Sequence, residues 1–561
     1  MKNLFRKKTV GQILTDLSTR ESEHGGLNRM LKVRDLTSFG IAAIIGAGIF
    51  STIGRASFNG GPAVSLLFVF VAIACVFTAL CYAQFASTVP VSGSAYTYAY
   101  VSFGEIFAWI IGWALILEYA VSNMVVAISW SEYFSSMLSG FGVELPRWIT
   151  TDPISSGRAF AEMQEAIQNN TLNELPSNTR ILAEAYQNAP SIGGVKVLLD
   201  LPAGIITALV TWLVYMGIKE SRTTSNILVV LKLAVILLVI FAGAFFVKPE
   251  NWSPFAPNGV NGVLSSVAAV FFAFIGFDSI STTAEECSNP QRDLPRAMIY
   301  SLIICTTLYV IITLVLTGMV NYKDLKVDDP LAYVFSRVNM DFIAGVISVS
   351  AVVAITSALL VYQLGQPRIW MTMSRDGLLW KKFSEIHPTY KTPGFATIIT
   401  GLLVAIPSLF LDMQFFVDLT SVGTFFAFIM VCGGVLYMDK KGLSKDSKFK
   451  MPRISGKYIV GLLFGIGLYF ALKQENYMQT LEEKPLLIVF WITWLVLSVL
   501  SFLYDFLLIP VLGILTNLYL MTELGLSNWI MFVIWLIIGL VIYFAYGYKK
   551  SKLAATKMQS I

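Results

Sequence analysis

After 34 mostly polar residues with a basic balance, apolar side chains mass into long runs parted by short polar joints. Fourteen such runs stand out, at 36–57, 62–89, 104–138, 198–217, 224–247, 260–284, 297–320, 342–374, 394–411, 414–437, 457–473, 485–504, 507–523 and 528–547. A helix needs about 20 apolar residues to cross the hydrocarbon core. Nothing alternates with the period of two that a barrel strand shows. Backbone groups in lipid must be satisfied internally, so each run is expected to be a helix. The last four are the least sharply divided, since only Asp505 and Glu523 punctuate 505–527. The pattern predicts an all-α polytopic membrane protein with about 14 transmembrane helices.

Charge orients the spans. Eight Lys and Arg residues precede residue 35, seven lie in 438–457, and four follow residue 548. Basic residues collect beside span ends on the cytoplasmic side. An even span count puts all three segments on that side, with both termini cytoplasmic in a cell membrane. The longest polar loop, 139–197, then faces outside, where it reads as a lid or partner surface with short surface helices across 160–190. The chain has 561 residues, of which 56% are hydrophobic and 13% charged, against roughly a quarter charged in soluble domains. Its net charge of +5 carries no nucleic-acid signature. Cys75, Cys81, Cys287, Cys305 and Cys432 read as buried small hydrophobes rather than a disulfide set or metal site. His24 and His387 lie in polar segments. No cleavable signal peptide is expected, because the first apolar run is too long for a signal core.

Two stretches break the helical pattern. Residues 41–50 read IAAIIGAGIF, with Gly46 and Gly48 inside the first run. Each glycine costs ~1 kcal/mol against alanine in a helix interior. Close packing of small residues is one explanation; an interrupted helix that exposes backbone to a substrate is the other. The second stretch reads FFAFIGFDSISTTAEECSNPQRDLPR from residue 271, with Gly276 and Asp278 deep in the sixth run. A first-span and a sixth-span break, five spans apart, lie in helices that cross in opposite directions. That is the arrangement of two inverted five-span repeats sharing a central site. The expected division is a tail at 1–35, a first repeat at 36–247, a second at 260–437, peripheral spans at 457–547 and a tail at 548–561. Neither glycine cluster follows a soluble strand, so neither reads as a nucleotide loop.

The GAGIF of the first span, FFAFIGFD with AEE and NPQRDLP in the sixth, and QPRIWMTMSRDGLL at the end of the eighth resemble the amino acid–polyamine–organocation permeases. The chain is most similar to their cationic amino acid transporter branch, and IWLIIGLVIYFAYG resembles that branch's last span. The resemblance covers nearly everything outside 139–197. It implies a LeuT-like five-plus-five core. Ala47 and Gly48 would offer N–H groups to a substrate carboxylate. The carbonyls of Ile44, Phe272, Ala273 and Ile275 would accept from its ammonium, and Phe277 would be an aromatic gate. Gly46, Gly276 and Asp278 would support the breaks. The implied partners are an L-amino acid and membrane lipid, with a homo-oligomer or small membrane subunit left open.

A charge inside a span usually faces a cavity or a partner. Lys232, in NILVVLKLAVILLVI, either snorkels to an interface or points at the first-span break. The resemblance implies the latter, with Lys232 standing where sodium-coupled relatives hold sodium, so that a proton is the coupling ion and no sodium site or other cofactor is expected. Glu118, in GWALILEYAVSN, is either a structural carboxyl bonded to Tyr119 or Ser122, or a contact for a substrate amine. Glu285, Glu286, Arg292, Asp293, Arg296, Arg368, Arg375 and Asp376 are solvated loop ends or an inner-gate ion-pair network, with Asp293 expected as a helix N-cap. The chain carries no HExxH, no GxSxG, no P-loop and no histidine within a span, which argues against an intramembrane enzyme or an ATP-driven pump. Secondary active transport of cationic or small neutral L-amino acids, coupled to protons, is the leading expectation. An obligate amino acid or polyamine exchanger and a non-transporting amino acid sensor are the alternatives.

Overall fold

The computed structural model describes residues 6–9, 11, 31–89, 94–172, 175–217, 222–327, 329–444, 447–473 and 477–554. It is built from helices. Among the described residues, nine are long and apolar enough to cross a membrane, and four more apolar helices of 15 residues each accompany them, at Leu201–Tyr215, Gly394–Ser408, Ile459–Lys473 and Leu508–Thr522. At 1.5 Å per residue these four reach only about 22 Å. The protein is an integral membrane protein.

The first run divides into α1 (Val33–Ile44) and α2 (Ile53–Gly60), and α3 (Val64–Thr88) follows directly. After the short α4 (Ser94–Ser102), which hydrophobicity did not single out, comes α5 (Glu105–Gly140). This helix is central: 89% of its most apolar stretch is buried, against 28% for Leu486–Tyr504. It packs along Asp341–Arg375 and Met413–Lys440, while α3 packs along Pro290–Met319. The apolar helices Ile459–Lys473, Leu486–Tyr504 and Leu526–Ile542 present mostly exposed hydrophobic faces, as lipid-facing surfaces do, whereas Leu508–Thr522 is buried against Met413–Lys440.

The long loop folds into α6 (Pro153–Gln168) and α7 (Ser177–Asn188), packed on each other, and a small hairpin pairing Ser191–Ile192 with Val195–Lys196. Asp152 caps α6 by accepting from the N–H groups of Ile154 and Ser155. The expected cap at Asp293 is corrected: that helix begins at Pro290 with Asn289 in the N-cap position, so Asp293 sits inside its first turn. Pro290 fixes the earlier start, because proline suits the first helical position. The five cysteines are buried and unpaired.

Candidate functional site

The first helix stops because its backbone turns out of register at Ile45, which is extended at φ −78°, ψ 90°. Gly46 bends, and helical structure resumes at Ala47 through a wide turn over Gly48–Thr52. The first N–H groups of a new helical segment have no acceptor within it, and here they belong to Ala47 and Gly48. The sixth run breaks likewise. An α-helix over Val267–Phe272 ends in turns at residues 273–276, Gly276 takes the left-handed region at φ 112°, and a 3₁₀ segment continues from Phe277. Only glycine adopts that conformation freely.

The two breaks cross in contact. A Cβ on Gly48 would lie 2.4 Å from the Cα of Ala273, and one on Gly276 would lie 2.9 Å from the carbonyl oxygen of Ala43. Around the crossing, Thr52 donates to the carbonyls of Gly48 (2.7 Å) and Ala269 (3.0 Å), and Ser266 donates to Ala56 O (3.0 Å). No donor among the described residues reaches the carbonyls of Ala273 or Ile275. Phe272 O accepts from Ile275 N at 3.2 Å. Ile44 O is engaged too: the hydroxyl of Tyr309 donates to it at 3.1 Å.

Lys232 is fully buried, and its ammonium donates to Ala42 O at 3.0 Å. The last carbonyls of a helix are unsatisfied and form the negative end of its dipole, so a cation fits the end of α1. Glu118 is 4% exposed; its carboxyl interacts electrostatically with Asp278 and lies near the hydroxyl of Thr424, which itself donates to Thr420 O at 3.1 Å. Thr424 belongs to Met413–Lys440 rather than to Glu118's own helix. Ser122 Oγ and Tyr82 Oη, both buried, have no hydrogen-bond partner among the described residues. Tyr82 and Tyr362 also lie within the electrostatic reach of both carboxyls. Asp278 faces the N–H groups of Gly276 and Ser279, which ties it to the sixth-span break. Phe277 is buried against Phe428 (centroids 5.2 Å apart) and Tyr82 (6.2 Å).

The structure therefore gathers Ile44, Ala47, Gly48, Phe272, Ala273 and Ile275 at one crossing, with Phe277, Asp278 and Glu118 on one side and Lys232 at the end of α1. Tyr309 and Thr424 were missed, because an aromatic hydroxyl or a threonine in an apolar run carries no signal of its own.

The charged cluster expected at the inner face divides differently. Asp376 receives Lys8 (2.7 Å) and Tyr96 (2.8 Å). Arg292 lies 3.8 Å from its neighbour Asp293. The side chains of Glu285 and Glu286 lie outside the described residues. Buried Glu105 is approached by Arg6 (3.8 Å) and accepts from Tyr543 (2.9 Å) and Ser551. Both terminal segments thus dock on the same face.

On the opposite face, α6 and α7 roof a cavity of about 120 Å³ lined by Arg55, Glu132, Asp152, Arg158, Asp200 and Asp412, among others. Arg158–Asp412 (3.5 Å) and Lys326–Glu162 (3.8 Å) hold the roof to the body. Asp200, just before the fourth span, accepts from Ser131 (2.5 Å) and Ala203 N (3.1 Å). Burial pushes its carboxyl up to about 7.

The chain matches the amino acid permease family over residues 31–497 and that family's C-terminal segment over residues 508–551. It is 37% identical to the branched-chain amino acid permease BcaP of Bacillus subtilis (strain 168), covering 98% of this chain and 99% of the relative. It is 35% identical to the methylthioribose transporter of the same organism, over 99% and 100%. It is 32% identical to the vacuolar cationic amino acid transporter 2 of Arabidopsis thaliana, over 99% and 94%. The matched proteins are transporters, not enzymes, and a chain matched across both family models with helices interrupted at 45–46 and 273–276 belongs to the amino acid permease family, on its cationic amino acid transporter-like side.

Proposed function

We propose that this permease moves L-amino acids, cationic and small neutral, by alternating access and in symport with protons. In this reading fourteen spans contain two inverted five-span repeats, and both termini are cytoplasmic. The zwitterion is read by main chain: Ala47 and Gly48 N–H groups take the carboxylate, and the carbonyls of Ala273 and Ile275 take the ammonium. Ile44 O contributes through its second lone pair, since Tyr309 uses the first.

The observation that carries the coupling is the buried bond from Lys232 to Ala42 O. An ammonium supplies a fixed positive charge beside the break without a metal ion. Loss of its proton would release α1, so proton binding and the geometry of the break are linked. The paired carboxyls Glu118 and Asp278 give the site a place for a cationic side chain when ionised, and for a neutral one when Glu118 holds a proton. Two of the relatives' names, for branched-chain and cationic amino acids, fit a site that reads the zwitterion first and the side chain second, while the methylthioribose transporter is named for a substrate without one. Opening toward the cytoplasm breaks the Lys8–Asp376 and Arg6–Glu105 contacts; opening outward loosens the α6–α7 roof.

The test is uptake of labelled L-alanine, L-leucine and L-arginine into proteoliposomes without sodium, with and without an inward proton gradient. Accumulation that requires the gradient is expected. Uptake only into vesicles preloaded with amino acid would replace symport by exchange, and saturable binding without flux would make the protein a sensor.

A further inference from the structure

A second cavity, of about 280 Å³, lies on the face that carries the termini, where the end of α3, the end of Met413–Lys440 and the loop after it meet. Its lining includes Gln84, Asp439, Ser444, Lys450, Arg453 and Leu507. The loop over 438–457 holds seven basic and two acidic residues. Its residues 447–451 are held to the body: Ser87 bonds Ser447 at 2.6 Å and accepts from Phe449 N at 3.0 Å, and Gln84 Oε1 accepts from Met451 N at 3.0 Å. That last bond sets the amide's orientation. Gln84 is 5% exposed, and its Nε2 has no hydrogen-bond partner among the described residues. A buried donor without an acceptor is costly, and this one belongs to a residue lining a basic cavity.

The depth of the cavity is fixed by its neighbours. Lys457 lies over the rings of Phe502 (5.4 Å) and Tyr458 (5.6 Å), and Lys440 lies over Phe506 (5.9 Å). Tyr458, Tyr504 and Phe502 are exposed. Aromatic and basic side chains interleaved at span ends mark the headgroup level of a bilayer.

We propose that this cavity binds the phosphate of an anionic phospholipid headgroup, with Lys450 and Arg453 as its cations and Gln84 as the donor at its base. Basic pockets between spans at this depth suit such headgroups. Asp439, which also lines the cavity, pairs with Arg453 at 3.4 Å; Arg453 is 76% exposed on its side chain, so that pair is wet and yields readily to a phosphate. The apolar walls of Val435 and Leu507 accept the glycerol end of a lipid, which free phosphate lacks. A bound lipid would join the core to the helices after residue 457.

The experiment uses the full-length protein in nanodiscs of phosphatidylcholine with increasing phosphatidylglycerol, read by lipid retention in native mass spectrometry and by thermal midpoint. Retention of phosphatidylglycerol over phosphatidylcholine and a rising midpoint are expected. Lys450→Gln and Arg453→Gln should each lower the preference roughly fivefold, and Gln84→Leu should lower it as well. Lys381→Gln, an exposed lysine outside this cavity, should leave it unchanged. Matching midpoints in pure phosphatidylcholine show that the variants fold. Unchanged preference in the cavity variants, or equal loss in Lys381→Gln, overturns the site. Stabilisation by inorganic phosphate as strong as by phosphatidylglycerol overturns the lipid assignment.

Discussion

Gly48→Ala puts the crossing of the two interrupted helices to the test. The new Cβ would stand 2.4 Å from Ala273 Cα and 2.9 Å from both Ala273 N and Cβ. Carbon atoms rest at about 3.5–4.0 Å. The obstacle is backbone, so no side chain can swing aside, and the half-helices must part by about 1 Å to restore contact. Overpacking of this kind costs ~1–3 kcal/mol, and the upper end applies where backbone meets backbone. About 3 kcal/mol is on the order of a hundredfold in an equilibrium constant. In the proposed function Ala47 and Gly48 hold the substrate carboxylate, so uptake should fall at least tenfold. Gly46→Ala is the internal comparison. Its Cβ would meet Ala358 Cβ at 3.5 Å, an ordinary contact, and its φ is not positive, so uptake should stay within about twofold. Both variants are to be assayed as initial uptake rates in proteoliposomes, with surviving protein quantified after reconstitution. A Gly48→Ala protein transporting at the parental rate, or a loss in Gly46→Ala as deep as in Gly48→Ala, would refute the packing argument.

Other consequences are open to similar tests. Lys232→Ala should abolish gradient-driven accumulation, and a variant still concentrating substrate on a proton gradient would sink the coupling role. Glu118→Gln should weaken arginine and lysine uptake more than alanine uptake, whereas equal loss for all three would assign Glu118 to structure. The Asp200 carboxyl, raised by burial to about 7 from an ordinary value near 3.9, holds a proton in the folded state that the unfolded chain has released. Its contribution to stability is complete below about pH 4 and is lost as pH rises through about 7. Thermal midpoints between pH 5 and 8 should therefore fall more steeply in the parent than in Asp200→Asn; identical slopes would count against it. Lys8→Gln removes a partly buried charge-assisted bond worth ~1.5–3 kcal/mol. It should raise apparent substrate affinity from the face of the termini several-fold, and no change there would show that the tail contact does not hold that face closed.

Much of this protein was legible in its sequence because a bilayer leaves the chain few choices. Long apolar runs must become helices, since the backbone has no other partner in lipid, and helices occupy the runs read from hydrophobicity. The glycines at 46, 48 and 276 marked the interruptions because a helix interior tolerates them poorly. What the sequence left undecided was which groups meet. Tyr309 reaches Ile44 O across 265 positions, and Lys8 reaches Asp376 across 368. No local pattern encodes such pairs, because they arise only when separate spans pack side by side. The same holds for Glu118, whose neighbours Thr424 and Asp278 lie on other elements rather than one turn away. The sequence by itself determined that the chain crosses a membrane and where its helices must break. Tertiary structure decided which freed carbonyls Lys232 and Tyr309 occupy and which accept from no donor among the described residues, because hydrogen bonding at a break depends on what the neighbouring helices bring to it.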